Sequence, residues 1–382
     1  MNSKILFLLV VFYQSIQTKA QDTLTNTVNS KSPIVYTGIY NQLPESFNYP
    51  AIGVVNVAQG NQKSAQIGFT NINGGDMSGV QIGFSNTTGG ETHGAQVGFV
   101  NTVKGNVKGV QTGFANITMQ HVDGVQVGYL NYANQSGKGA QVGFVNAIGQ
   151  SFEGAQVGFL NVTPGNLKGV QTGFVNISKD ATEGAQVGFI NVTHKKVTGT
   201  QVGFINIADS ISNGVQIGFL SIVKQGGYYA LELSNNELYA YNLAFKIGVK
   251  QLYTSIAFGY NPDLRSEFVT GLGIGSLLSI HKNNKWYVNP ELVHYSTPEK
   301  LSKQYTQLST SLGFNYKQVS IKAGPTLVWS SLSLDSRRGS SEKRVIDEPD
   351  YNFGSTKIND NNRIHVGAKI SLVYSFGGNH LK

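Results

Sequence analysis

The sequence predicts an all-β protein: a β-solenoid of 15-residue repeats followed by an eight-stranded antiparallel β-barrel of the outer-membrane type. Three observations carry this. From Gln66 to Gln216 the chain repeats every 15 residues without insertion or deletion, as Gly-(Val/Ala)-Gln-(Val/Ile/Thr)-Gly-Phe-x-Asn and about seven freer residues. A fixed short period marks a unit that cannot bury its own apolar face and must stack on its neighbours. After residue 225 the period stops and longer alternating segments begin. Finally, charged residues make up 13% of the chain, Gly is abundant, and Tyr and Phe far outnumber Trp, which suits strands over helices.

Residues 1–20 read as a signal peptide: Lys4, an apolar run from Ile5 to Tyr13, and a cleavage site at Thr18-Lys19-Ala20. Residues 21–50 form a polar leader, expected to be irregular. Residues 51–225 form the repeat array and residues 226–382 the barrel, with Gly226-Gly227 at the boundary. The chain has no Cys, which excludes disulfides, thiolate metal sites and a lipid-modified cysteine.

Within a repeat, Val80, Ile82 and Phe84 alternate with Gln81, Gly83 and Ser85, a strand signal. If each repeat is one coil, identical residues stack about 4.8 Å apart on parallel strands. The expected ladder residues are Gln81, Gly83, Phe84, Asn86, Gln96, Phe99, Asn101, Gln141, Phe144 and Asn146. Phe is expected to form an internal ladder, Asn a second one through its amides, and the Gln/Gly/aliphatic side an exposed docking face. The alternative makes each repeat one strand of an up-and-down barrel. Neighbouring strands would then meet different solvents, which predicts a 30-residue period. The sequence has none, and its clear strand of about seven residues is shorter than the 9–11 that a membrane strand needs.

In the C-terminal region Tyr239–Val249, Leu252–Tyr260, Phe268–Leu278, Trp286–Tyr295, Leu308–Tyr316, Val319–Trp329 and Ile364–Phe376 alternate over membrane-spanning lengths, with Tyr228–Ser234 as a weaker first strand. One face is large and apolar with aromatic ends; the other is Gly, Ser, Ala and Asn, unlike the Lys- and Glu-rich solvent face of a soluble sheet. On that small, polar face Glu291 meets Lys246, Lys322 and Lys369, which predicts an ion-pair network in the lumen, since buried charges need partners. An even strand count places both barrel ends, and therefore the solenoid, on the periplasmic side.

The repeat, as in Gly79-Val80-Gln81-Ile82-Gly83-Phe84-Ser85-Asn86, resembles that of surface-repeat proteins of Gram-negative envelopes, over about 170 residues. The terminal alternating segment Ile364–Phe376 resembles the last strand of small eight-stranded outer-membrane proteins, except that Gly377–Lys382 follow the aromatic residue. Neither resemblance implies an activity.

Catalytic and binding signatures are missing. The seven His form no metal-ligand pair, no nucleophile elbow occurs, and the recurrent Gly-x-x-Gly lacks the Lys-Ser/Thr of a phosphate loop. Asp is too rare in the array for calcium-binding repeats. The basic cluster Arg337, Arg338, Lys343 and Arg344 is balanced by Asp335, Glu342, Asp347 and Glu348, which argues against nucleic acid. The expectation is therefore a non-enzymatic protein of the cell outer membrane with no cofactor. Its partners would be membrane lipid and an envelope protein or glycan. Two alternatives stand beside it: a pore or transport component in which repeats and C-terminal strands close one larger barrel, and a soluble secreted solenoid adhesin.

Overall fold

The computed structural model describes residues 35–262, 267–280, 285–296, 303–332, 353–359 and 362–376. The expected signal peptide and the cluster around Arg337 lie outside the described residues. Among the described residues there is no helix; the protein is a parallel β-solenoid of about 13 turns and a closed eight-stranded antiparallel barrel. The chain divides into two compact units, residues 1–159 and 160–382. Among the described residues, the first holds solenoid coils only. The second holds further coils and the whole barrel.

Within each unit the coils stack in register by 15 residues, except that after Thr193 the register slips to 14, with Lys196 opposite Ser210 and Val197 opposite Ile211. In the first unit Gln81 pairs with Gln96 and Asn86 with Asn101; in the second Gln171 pairs with Gln186 and Asn176 with Asn191. The leader is not wholly irregular. Tyr36–Leu43 is a strand, parallel to Ala51–Ala58, with Gly38 opposite Gly53 and Asn41 opposite Asn56. It is a worn coil whose Gln position has been lost, so the period alone does not reveal it.

Two glycines shape the coil. Gly94 has φ near 140°, which side-chain-bearing residues rarely adopt. At Gly98 a Cβ would lie 2.2 Å from Gly83 O and 2.6 Å from Asn86 Nδ2. This position therefore points into a crowded interior. Gln96 shares its parity, whereas Val97 and Phe99 take the opposite one. The interior of each coil follows: Thr92, Gln96, Asn101 and Val103 are all fully buried in this one.

The barrel strands are Tyr228–Asn235, Tyr241–Val249, Leu252–Asn261, Glu267–Gly275, Trp286–Ser296, Lys303–Tyr316, Val319–Leu332 and Asn362–Ser375. Each pairs antiparallel with the next, and the first closes on the last through Ala230–Ser375 to Asn235–Ile370. The repeats contribute no strand to it, so the single larger barrel is excluded. Pairing extends beyond the alternating segments read from the sequence. The sixth strand begins at Lys303, and Gly354–Asn359 pairs with the last strand.

Candidate functional site

Three features could carry function: the amide ladders and outer stripe of the solenoid, the lumen of the barrel, and the rim where the last coil meets the barrel.

In the first unit, each Asn from Asn41 to Asn131 donates its amide to the Asn one coil later, at 2.7–2.9 Å. Its second N–H goes to a backbone carbonyl 11 residues on, as from Asn116 to Val127 O at 2.9 Å. That carbonyl lies just before the corner glycine, so the Asn also caps the corner. Gln runs the opposite way: from Gln81 to Gln156 each donates to the Gln one coil earlier, at 2.6–2.8 Å. The coils of the second unit do the same, from Asn161 to Asn206 and from Gln216 to Gln171. Where the position seven residues after Gln is Thr, its hydroxyl joins in: Thr118 Oγ1 donates to Gln111 Oε1 at 3.0 Å. These amides are fully buried, and a buried amide is tolerated because it is bonded.

Here the structure corrects the sequence expectation. Gln81, Gln96 and Gln141 lie inside with Asn86, Asn101 and Asn146, whereas Phe84, Phe99 and Phe144 lie outside, 48%, 46% and 43% exposed. The reason is the glycine parity described above: the cramped side of the strand is the side of Gln and Gly, with no room for a ring. The rings still form a ladder. From Phe69 to Phe159, with Tyr129 among them, consecutive centroids lie 4.8–5.0 Å apart with planes within 6°. Phe174, Phe189, Phe204 and Phe219 repeat this in the second unit. The expected Gln/Gly/aliphatic docking face therefore does not exist. The outward face is the aliphatic residue after Gln together with Phe.

Charges sit at the margin of this face. Lys108, Asp123 and Lys138 are exposed register partners on successive strands, as are Lys168 and Glu183. The sign alternates from coil to coil, so no like charges stack.

In the barrel lumen the structure brings together all four expected residues. Glu291 lies 2.8 Å from Lys246 Nζ, 3.4 Å from Lys322 Nζ and 3.1 Å from Lys369 Nζ. Sequence reasoning missed the fifth member, Glu232. It pairs with Lys246, with Lys322 at 2.8 Å and with Lys369 at 2.9 Å, and it accepts from Ser371 Oγ at 2.8 Å. A signal existed: one carboxylate against three inward ammonium groups leaves an excess of buried positive charge, which points to a further acid on an inward position. Asn289 and the Tyr253 hydroxyl complete the network, Asn289 accepting from Lys322 Nζ and donating to Tyr253 Oη.

A second polar layer lies nearer the opposite rim. The link between the first two strands folds into the lumen. Asn236 Oδ1 accepts from the backbone of Leu238 and Tyr239 at 3.0 and 2.9 Å. Glu237 Oε1 accepts from Thr326 Oγ1 at 2.6 Å and Gln307 Nε2 at 3.1 Å. Leu238 and Tyr239 are buried against Val269, Val293, Tyr295 and Val328. The link is thus an internal plug and not an external loop.

At the rim holding the Lys250-Gln251 turn, the last solenoid coil meets the barrel. Thr254 Oγ1, on the outward side of the third strand, donates to Gly218 O at 2.6 Å. The Tyr229 hydroxyl accepts from Val223 N and donates to Val223 O. Outward-facing Ile247 and Val249 are buried here, although Leu243 higher on the strand is 40% exposed. A cavity of about 730 Å³ between coil and barrel mouth is lined by Asn213, Gln225, Lys250, Asn315 and Lys317, among others.

Among the described residues no group of three or more His, Asp or Glu could hold a metal ion, and no helix is long and apolar enough to cross a membrane. No known protein family, curated protein or solved structure matches the chain.

Proposed function

We propose that this is a non-enzymatic protein of a Gram-negative outer membrane, whose barrel anchors a repeat solenoid serving envelope structure or macromolecular interaction. One observation carries the reading: the closed barrel is polar inside and apolar outside. Leu233, Phe258, Leu272, Leu292, Leu308, Ile321 and Ile370 are 42–60% exposed around its wall, while the Glu/Lys network is buried in its lumen. A water-soluble barrel has the reverse incentive, since exposed apolar area costs about 25 cal/mol per Å², whereas a membrane strand alternates apolar-out and polar-in. The aromatic residues Tyr229, Phe245, Tyr374 and Phe376 group at the rim that holds the chain ends, as an interfacial girdle does.

With both ends of the barrel at one rim, the solenoid belongs on the periplasmic side. The resemblance of the repeat to Gram-negative surface-repeat proteins agrees with an envelope location. A pore role is disfavoured because two layers of buried side chains cross the lumen, and a secreted adhesin would have no use for an apolar barrel wall.

The test is the full chain refolded in detergent and run on a gel with and without boiling, together with carbonate extraction of membranes. A faster band before boiling, and retention in the carbonate pellet, are expected. No mobility difference together with release into the wash would replace this reading with the secreted one.

A further inference from the structure

The coils nearest the barrel expose a face that the anchoring role does not use. In the second unit Val170, Phe174, Val187, Phe189, Phe204, Ile217 and Phe219 are 37–46% exposed and form one continuous strip, with partly exposed Val175, Ile190, Ile205 and Leu220 beside it. We propose that this Val/Phe/Ile face is seated on the phospholipid leaflet at the barrel's chain-end rim, so that these coils are bound to lipid along their length and do not hang free in water. The proposal rests on reading the barrel as membrane-spanning.

Three observations select lipid as the occupant. The first is continuity. The strip ends at Ile217–Phe219, and Gly218 between them is bonded to Thr254 on the barrel's outer wall. The same coil is held at Val223 by Tyr229, a member of the aromatic girdle that marks the level of the interface. The face thus starts at the depth where the barrel's apolar wall meets the headgroups.

The second is hydrogen-bond satisfaction. Backbone groups in these strands are used in the parallel ladder, and the amide side chains bond each other inside the coil. Apart from the hydroxyls of Thr172 and Thr200, the outward face therefore offers apolar side chains with no bonding demand, which suits contact with a medium that cannot supply bonds. The rings also stack on one another, with centroids 4.9–5.0 Å apart. Their faces are already occupied and their edges point outward, which is unsuited to stacking against a sugar ring.

The third is register. Each coil presents nearly the same residues, so the face is close to unchanged by a shift of one coil. A folded protein partner would have nothing to fix its position, whereas a fluid leaflet needs no register. Contiguous apolar surface of this kind on a soluble monomer is rare and marks an interaction site.

The absence of Cys makes the test direct. Single substitutions Phe189→Cys and Val187→Cys on the face, Lys195→Cys at an exposed charged position off the face, and Leu308→Cys on the barrel wall are labelled with a nitrobenzoxadiazole fluorophore. Each full-length variant is then reconstituted into phosphatidylethanolamine/phosphatidylglycerol vesicles with or without doxyl-labelled lipid. The expected result is quenching at 187 and 189 at least two-fold above that at 195 and comparable to that at 308. Quenching at 308 but none at 187 or 189 overturns the proposal and leaves the barrel reading intact. Protection of 187 and 189 from aqueous iodide without lipid quenching, growing with protein density, overturns it in favour of a second copy on the face. Absence of quenching at 308 removes the barrel reading and this proposal with it. Two face positions guard against misfolding of one variant, and retention of the unboiled gel band qualifies each sample.

Discussion

The solenoid and the barrel solve one problem in two ways. Both bury polar groups and expose apolar ones, but the buried polar groups of the solenoid are neutral amides, beside apolar residues such as Val103, Val107 and Leu167, and those of the barrel are charges. A parallel coil stacks each residue on its own copy about 4.8 Å away. Gln and Asn carry a donor and an acceptor in one group, so a copy is a good partner. Glu or Lys at such a position would stack like charges in a medium of low dielectric, where repulsion is severe. The antiparallel barrel pairs unlike residues, so Glu232 and Glu291 can each face Lys246, Lys322 and Lys369. Where the solenoid does use charge, it stays outside, and along the row of Lys108, Asp123 and Lys138 the sign alternates.

If this contrast is right, damage to the barrel network should be the most severe. Glu232→Ala leaves three buried ammonium groups facing one carboxylate. Breaking a buried ion pair from one side costs about 3–5 kcal/mol. The unboiled folded band should be lost or its urea midpoint in detergent should drop sharply. Adding Lys246→Met to Glu232→Gln should recover part of the loss, because the desolvated charge is removed with its partner. A single variant as stable as the parent would mean that the network is not the core of the barrel.

The amide ladder should come second. Asn116→Leu deprives Asn101 of its acceptor and Asn131 of its donor. Val127 O keeps its bond from Gly113 N, at 3.0 Å. With roughly 1–3 kcal/mol per stranded buried group, a loss of about 2–4 kcal/mol is expected in urea unfolding followed by far-ultraviolet circular dichroism. Phe114→Thr, on the same coil but outside, should cost about 1 kcal/mol, chiefly ring stacking. An equal or reversed ranking would put the core on the wrong face.

That ranking touches what was legible in the sequence. The period gave the coils, their register and the Asn ladder, because stacking of identical residues follows from the period alone. Alternation over Tyr239–Val249 or Val319–Trp329 gave the barrel strands, observed as Tyr241–Val249 and Val319–Leu332, and the inward Lys246 and Lys322. The orientation of the repeat strand was harder, because alternation names two faces without saying which is inside. The habit of placing Phe inward pointed the wrong way. The deciding residue was Gly98, whose invariance in every coil reports crowding on the Gln side. Glu232 was hidden because Tyr228–Asn235 is a short strand with weak alternation. Leader residues Tyr36–Leu43 were hidden because only Gly38 and Asn41 keep the repeat.

A reversal of sign on the surface ladder should cost less. Asp123→Lys places three cations on successive strands where the sign now alternates. Exposed pairs are worth about 0–1 kcal/mol and are screened by salt. The expected loss is about 0.5–1 kcal/mol in 20 mM salt, mostly erased in molar salt. A loss independent of salt would assign position 123 a packing role and not an electrostatic one.

The smallest effect should come from Glu91, an exposed carboxylate outside both polar interiors. His93 Nε2 lies 3.0 Å from Glu91 Oε2, and Asn106 Nδ2 donates to Oε1 at 2.7 Å. These bonds, the one to His93 foremost, hold the carboxyl below its ordinary value of 4.5. A group whose native pKa is depressed contributes stability that is complete above the unfolded pKa and is lost as pH falls through the native one. The melting temperature of the parent should therefore exceed that of Glu91→Gln slightly at neutral pH. The gap should close as the pH is lowered from 4.5 through the lower native value. A gap that stays constant down to strong acid would mean that the contribution is the hydrogen bond from Asn106, which the Gln carbonyl fails to accept, and not the charge. Charge in the solenoid would then be dispensable even at its surface, and the division between a neutral coil and a charged barrel would be sharper than drawn above.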